Sequence, residues 1–237
     1  MTSLELNRFE LLALKFRKEN DLGDTAPLDF RRMLESMKIL TIFRPLSDNF
    51  SGMCLVSPKK KNGFILINSN QSRGRQRFTI AHELYHIFFD ETFTPHYCSP
   101  GTGGKNSSEI AADAFASALL MPSMGLTEIL IQSNKKKKID IPTLLKMGQY
   151  YSVSHTSLLV RLKELSYITN ALKEEFWNCR IKEEAIRYGY NDSLYRPANE
   201  GLIIGDYKAL VTELFDKEII SEGHYTELLN KLDFENG

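Results

Sequence analysis

The feature that most restricts how this chain can fold is a five-residue pattern, His82, Glu83, Leu84, Tyr85 and His86. It sits in a stretch from Arg75 to Phe89 that holds neither glycine nor proline. Two histidines four residues apart lie on one face of an α-helix. With the segment helical, both imidazoles aim at one point, and Glu83 stands beside the first of them. Ile80, Leu84 and Ile87 form a separate apolar stripe, so the helix can pack into a core while its histidine face borders a cleft. Two imidazole nitrogens suit a zinc ion, which still needs a third protein ligand and an open position for water. A glutamate next to the first histidine is then placed to take a proton from that water.

The third ligand is sought downstream, where residues 109–122 predict a second helix, stopped by Pro122 and capped by Ser107 or Ser108. Glu109 and Asp113 are four apart and share a face, while Ala112, Phe115, Ala116 and Leu119 cover the packing side. The alanines let this helix approach the histidine helix closely. Glu109 is the preferred third ligand and Asp113 the carboxylate that orients a ligand histidine. The exchange of those two roles is the alternative. Manganese or iron would accept the same ligands as zinc.

Residues Arg77 to His86 (RFTIAHELYH) followed by Glu109 to Pro122 (EIAADAFASALLMP) resemble the ImmA/IrrE family of metallo-endopeptidases. Its members typically show RFTxAHELxH and then ExxAxxFAxxLLMP. The similarity runs from about Leu11 to Leu165. A glycine often precedes the second motif histidine in that family; Tyr85 holds the place here and is expected to reshape the cleft wall while leaving the ligands intact. The resemblance implies gluzincin-like chemistry, with zinc on His82, His86 and Glu109 and with Glu83 as general base. It also implies a substrate class, because known relatives cleave helix-turn-helix repressors and so derepress mobile-element or stress-response genes. Many relatives carry an N-terminal helix-turn-helix domain; none is expected ahead of the catalytic core here.

The 237 residues carry a formal net charge of zero, which removes any global pull toward nucleic acid. Charge is nevertheless uneven, at +2 over residues 1–123, +4 over 124–169 and −6 over 170–237. These segments are the expected divisions: a zincin-like metallopeptidase core, a helical segment resembling a helix-turn-helix, and an acidic helical region. No apolar run has the length of a membrane span, and charged residues interrupt the first twenty positions. Three scattered cysteines suggest a reducing compartment, so a cytoplasmic location without membrane partners is expected.

Ahead of the motif, Leu4 to Arg17 has amphipathic helical spacing through Phe9, Leu12 and Phe16, and Asp29 to Met37 predicts a short helix. Lys38 to Phe43 has strand composition. Gly52 to Ser57 and Gly63 to Asn68 flank a connection ending in Asn62-Gly63, which predicts a hairpin. An exposed hairpin edge beside the cleft offers a substrate backbone something to pair with. The fold class expected is α+β, a zincin-like core with a small, mainly antiparallel sheet followed by helices.

Other residues compete for roles. His96 and Tyr97, between the two metal-bearing helices, are candidate donors to a developing oxyanion, against their reading as ordinary loop residues. Residues 141–166 read as helix, turn and helix, with Ser154 as cap, and Lys135 to Lys138 lie nearby. The second of these helices offers only Arg161 and Lys163 as strong bases, so a structural or substrate-docking role is favoured over DNA contact. His155 and His224 read as packing or polar residues, and Cys54 as a core residue. The reading is a zinc-dependent endopeptidase acting on a helix-turn-helix repressor. Its alternatives are a DNA-binding regulator with a structural or sensory metal, using residues 141–166, and a toxin-like protease with another target.

Overall fold

The computed structural model describes residues 2–56, 63–90, 97–98, 107–133 and 139–233. Helix α1 (Ser3–Glu19) opens with a capping box: Thr2 Oγ1 accepts from the Glu5 N–H, and the Glu5 carboxylate accepts from the Thr2 N–H. Helix α2 (Phe30–Ser36) is capped by Asp29, whose side chain accepts from the Arg32 N–H. Both helices stand close to the expected spans.

Three strands follow, β1 (Ile39–Arg44), β2 (Gly52–Val56) and β3 (Gly63–Asn68). With β4 (Tyr97–Cys98) and β5 (Ile203–Ile204) they form one sheet in the order β4–β2–β3–β1–β5. The expected hairpin is present, with β2 antiparallel to β3 and Cys54 opposite Ile65. Strand β1 instead runs parallel to β3, Thr41 opposite Ile65, while the β1–β5 and β2–β4 pairings are antiparallel. The sheet is thus mixed and mainly antiparallel. Within the hairpin β2 is the outer strand, and β4 pairs with its Gly52 and Met53. Asn68 fastens the β1–β2 connection: its amide donates to the Ser47 and Phe50 carbonyls, and its Oδ1 accepts from the Leu46 and Asn70 N–H groups.

Helix α3 (Arg73–Phe88) packs on β2 and β3. Ile80 and Leu84 are buried with Ile65 and Ile67, and Cys54 lies in the same core. Helix α4 (Ser107–Leu120) packs between α3 and α1 through Ala112, Phe115, Ala116 and Leu119, none of them exposed at all. Past Pro122 the chain is helical, as α5 (Ser123–Gln132), α6 (Ile141–Tyr151), α7 (His155–Glu164), α8 (Asn170–Trp177), α9 (Ile181–Arg187), α10 (Tyr207–Asp216) and α11 (Glu222–Asp233). The exception is β5, which returns to close the far edge of the sheet. One apolar cluster runs from Ala13 through the sheet and α4 to Leu144, Leu158, Phe176 and Ile204.

Ser154 caps α7 and Ser152 takes the left-handed conformation that ends α6, so the helix–turn–helix outline of residues 141–164 is real. Of the bases expected there, Lys163 is half-buried and Lys135 to Lys138 lie outside the described residues. Arg161 is 1% exposed, donates to the Met121 carbonyl at 3.1 Å and pairs with Glu10. It is therefore withdrawn from any DNA-reading surface. Arg17 is equally buried and donates to the Leu119 carbonyl at 2.9 and 2.6 Å, and to those of Gly23 and Ala26. Burial pulls its pKa down to about 10, so it stays charged at neutral pH. Leu119 and Met121 sit at the C-terminal end of α4, where carbonyls lack helical partners and the helix dipole is negative. Two buried guanidinium groups from distant segments satisfy that end.

Among the described residues, no single helix is long and apolar enough to cross a membrane. Helices α4 and α5 pass that test only together, bent by 43°, and most of α4 is buried.

Candidate metal centre

Helix α3 is held firmly at its start. The Gln76 amide donates to the Ser69, Gln71 and Ala198 carbonyls, and its oxygen accepts from Asn199. From that anchor the helix carries His82, Glu83 and His86 inward, at 5%, 1% and 1% exposure. Helix α4 approaches α3 on its alanine face and sets Glu109 opposite both histidines.

Four atoms converge. His82 Nε2 lies 3.3 Å from Glu109 Oε2, His86 Nε2 lies 3.1 Å from Glu109 Oε1, and the two Nε2 atoms are 3.2 Å apart. The three side chains form a group that could hold a metal ion. The opposite ring nitrogens decide the chemistry of this group. His82 Nδ1 is 2.9 Å from Asp113 Oδ1, and His86 Nδ1 is 3.0 Å from Asp90 Oδ2. Carboxylates accept only, so each Nδ1 carries the proton and, in neutral rings, each Nε2 presents a lone pair. Two lone pairs and a carboxylate crowded together repel one another unless a cation lies among them. The donor set, two imidazoles and one carboxylate with carboxylates behind the rings, fits a divalent transition metal.

Asp90 joins this site although it is not among the residues that the sequence motifs single out. Its side chain is 8% exposed, and it accepts from Ser108 Oγ at 2.5 Å as well as from His86. Its signal was the spacing 82, 86, 90, which continues the histidine face one turn past the helix end at Phe88. Glu83 Oε1 is buried with no hydrogen-bond partner among the described residues. An orphaned carboxylate oxygen is unfavourable in a resting protein and is the state expected of a base awaiting a proton donor.

Tyr85 does not shape the cleft. It packs into an aromatic group with Phe9, Phe89 and Phe115, at ring separations of 6.3, 6.0 and 5.9 Å, where burial raises its pKa. His96 lies outside the described residues, and Tyr97 is described only as part of β4. His155 donates to or accepts at neither the centre nor the cleft: its Nε2 bonds the Phe176 carbonyl at 2.8 Å, and burial lowers its pKa.

Beside the metal group opens a cleft of about 490 Å³. Helix α3 lines it with Arg75, Phe78 and His82, α4 with Glu109, Asp113 and Ser117, and α7 with Ser157, Val160 and Glu164. The second helix of the helix–turn–helix pair is thus a wall of this cleft.

A family model, Peptidase_M78, the IrrE N-terminal-like domain, matches residues 34–163. The chain belongs to this family. It is accordingly a metallopeptidase, and the matched span runs from α2 to α7, so it contains the metal group and all three helical walls of the cleft. Comparison with curated proteins returns no match.

Proposed function

We propose that this metallopeptidase is a zinc-dependent endopeptidase of gluzincin type, that it acts in the cytoplasm, and that its substrate is a helix-turn-helix transcriptional repressor whose cleavage relieves repression of stress or mobile-element genes. The observation that carries the chemical part is the convergence of His82 Nε2, His86 Nε2 and Glu109 within 3.3 Å of one another, with Glu83 buried on the same helix. His82, His86 and Glu109 are the assigned ligands, which leaves Asp113, with Asp90, to hold the imidazole rings. Zinc held there would supply a Lewis acid that polarises the scissile carbonyl and makes water easier to deprotonate. Glu83 takes a proton from the attacking water and returns it to the leaving amine. Asp113 and Asp90 keep the Nδ1 protons in place, so both rings offer Nε2 throughout. The hairpin strand β2, which lies outside β3 in the sheet, is the strand along which an extended substrate backbone aligns in this reading. The repressor substrate follows from the family resemblance.

The test is a substrate trap. Full-length Glu83→Gln protein is expressed in the source cells, pulled down, and compared by mass spectrometry with His86→Ala. Selective capture of a helix-turn-helix repressor, then cut by wild-type protein and spared by the variant, is the expected result. Hydrolysis that persists in Glu83→Gln would refute the mechanism. Capture that is independent of the metal site would refute the substrate.

A further inference from the structure

The cleft holds features that hydrolysis itself does not use. On the α4 wall Glu109, Asp113 and Ser117 follow one another at four-residue intervals, about 6 Å per step along the axis. Ser117 is 5% exposed, and its Oγ has no hydrogen-bond partner among the described residues; it does not even bond back to the carbonyl of the preceding turn. On the facing wall, at the end of α7, Glu164 Oε2 is also buried without a hydrogen-bond partner among the described residues. Arg75 lines the cleft beside the opposite end of α7, where a Cβ added to Gly74 would lie 2.6 Å from the Ser154 nitrogen. The cleft is therefore polarised, basic near the start of α7 and acidic where α7 ends against α4.

A buried hydroxyl and a buried carboxylate oxygen on facing walls of one cleft, neither hydrogen-bonded among the described residues, are unfavourable unless a ligand supplies partners. Burial raises the Glu164 pKa against the opposing charge of Arg161, and the Asp113 charge adds to the rise. We propose that this end of the cleft is a pocket for a lysine or arginine side chain of the substrate, with Glu164 setting the preference and Ser117 accepting a second hydrogen bond. The reach is adequate. Ser117 stands two turns, about 12 Å, beyond Glu109, and a lysine ammonium stands about 6 Å from its own Cα. With about 3.8 Å added for each residue, a basic side chain two positions from the scissile bond therefore reaches from the metal group to Ser117, with Glu164 lining the same cleft. An acidic side chain would meet Glu164 and Asp113 and be repelled. The pocket presupposes the peptidase reading of the site, but its test can fail independently.

The experiment uses full-length, zinc-loaded Glu83→Gln protein and fluorescein-labelled alanine hexapeptides. Lysine, arginine, norleucine or glutamate is placed in turn at each position, and affinity is read by anisotropy. Lysine or arginine at one position should bind about tenfold more tightly than norleucine there, as one well-formed charged hydrogen bond requires. Adding Glu164→Gln should remove that advantage, Glu164→Asp should keep part of it, and Glu164→Lys should transfer it to glutamate. Zinc content should be unchanged in all of them. Equal affinity for lysine and norleucine at every position, no binding by any peptide, or a lysine advantage that survives Glu164→Gln would each overturn the pocket. Cleavage of a repressor by wild-type protein with no basic preference refutes the pocket alone. Basic-selective binding without hydrolysis by wild-type protein refutes the endopeptidase reading alone.

Discussion

Replacing Asp90 or Asp113 by alanine should weaken metal binding, and by unequal amounts that burial dictates. Each carboxylate accepts the Nδ1 proton of one histidine, at 3.0 Å for His86 and 2.9 Å for His82. Without the acceptor the ring loses both its orientation and its fixed tautomer, so part of the population presents N–H where a lone pair is needed. A hydrogen bond to an ionised partner contributes about 1.5–3 kcal/mol, and loss of such a partner lowers metal affinity about 10- to 100-fold. The Asp113 side chain is 33% exposed, so water can replace its carboxylate; the Asp90 side chain is 8% exposed and also accepts from Ser108. Asp113→Ala should therefore cost about tenfold in zinc affinity, roughly 1.4 kcal/mol, and Asp90→Ala about a hundredfold, roughly 2.7 kcal/mol. The assay is competition between each metal-free variant and a chromophoric chelator at fixed pH, with urea melts of the metal-free proteins as the control for folding. Unchanged affinity in both variants, or a larger loss for Asp113→Ala, would show that these carboxylates do not hold the rings as argued.

Other perturbations probe the scaffold and the chemistry. Arg17→Met strips the donors from the buried Leu119 carbonyl and from the more exposed Gly23 and Ala26 carbonyls, which water can reach, so urea unfolding should show a loss of about 1–3 kcal/mol. Gly74→Ala should lower the melting temperature, because its Cβ would meet backbone at 2.6 Å from Ser154 N and 2.9 Å from Val153 C; an unchanged melt would mean that α3 and the α6–α7 turn separate easily. Tyr151 donates to the Thr25 carbonyl, and burial raises its pKa to about 12, so its stabilisation is complete below the unfolded value near 10 and is lost as pH rises toward 12. Tyr151→Phe should flatten that alkaline loss in urea midpoints taken from pH 9 to 11. Chelation should abolish peptide hydrolysis and added zinc restore it, whereas zinc added to Glu83→Gln should restore metal content alone.

Much of the site was legible because helical period is a local property. The spacing of His82 and His86, and of Glu109 and Asp113, already states which side chains share a face, and the structure places those faces against each other. Asp90 escaped because the periodic pattern was read as ending at the helix terminus, although its side chain still continues the 82–86 line from just beyond it. Strand β5 escaped for a different reason: two residues carry no alternation to read, and their place in the sheet depends wholly on β1. The placement of Tyr85 was likewise invisible, since only the positions of Phe9 and Phe115 make its side of α3 a core.

By itself the sequence determined the helices, the hairpin, the metal-ligating residue types and their faces, all of which follow from backbone period and side-chain chemistry within a few turns. Tertiary structure alone decided what the remaining polar groups do. Arg161 looked like a surface base at the end of a helix, yet its partner Glu10 is 151 residues away and its other acceptor is the end of α4. Ser117 and Glu164 are 47 positions apart in the sequence and become one end of a cleft only when α7 is laid across α4. A charge or hydroxyl takes its energy from whatever lies within a few ångströms, and for these residues that neighbourhood is assembled from segments that no local pattern connects.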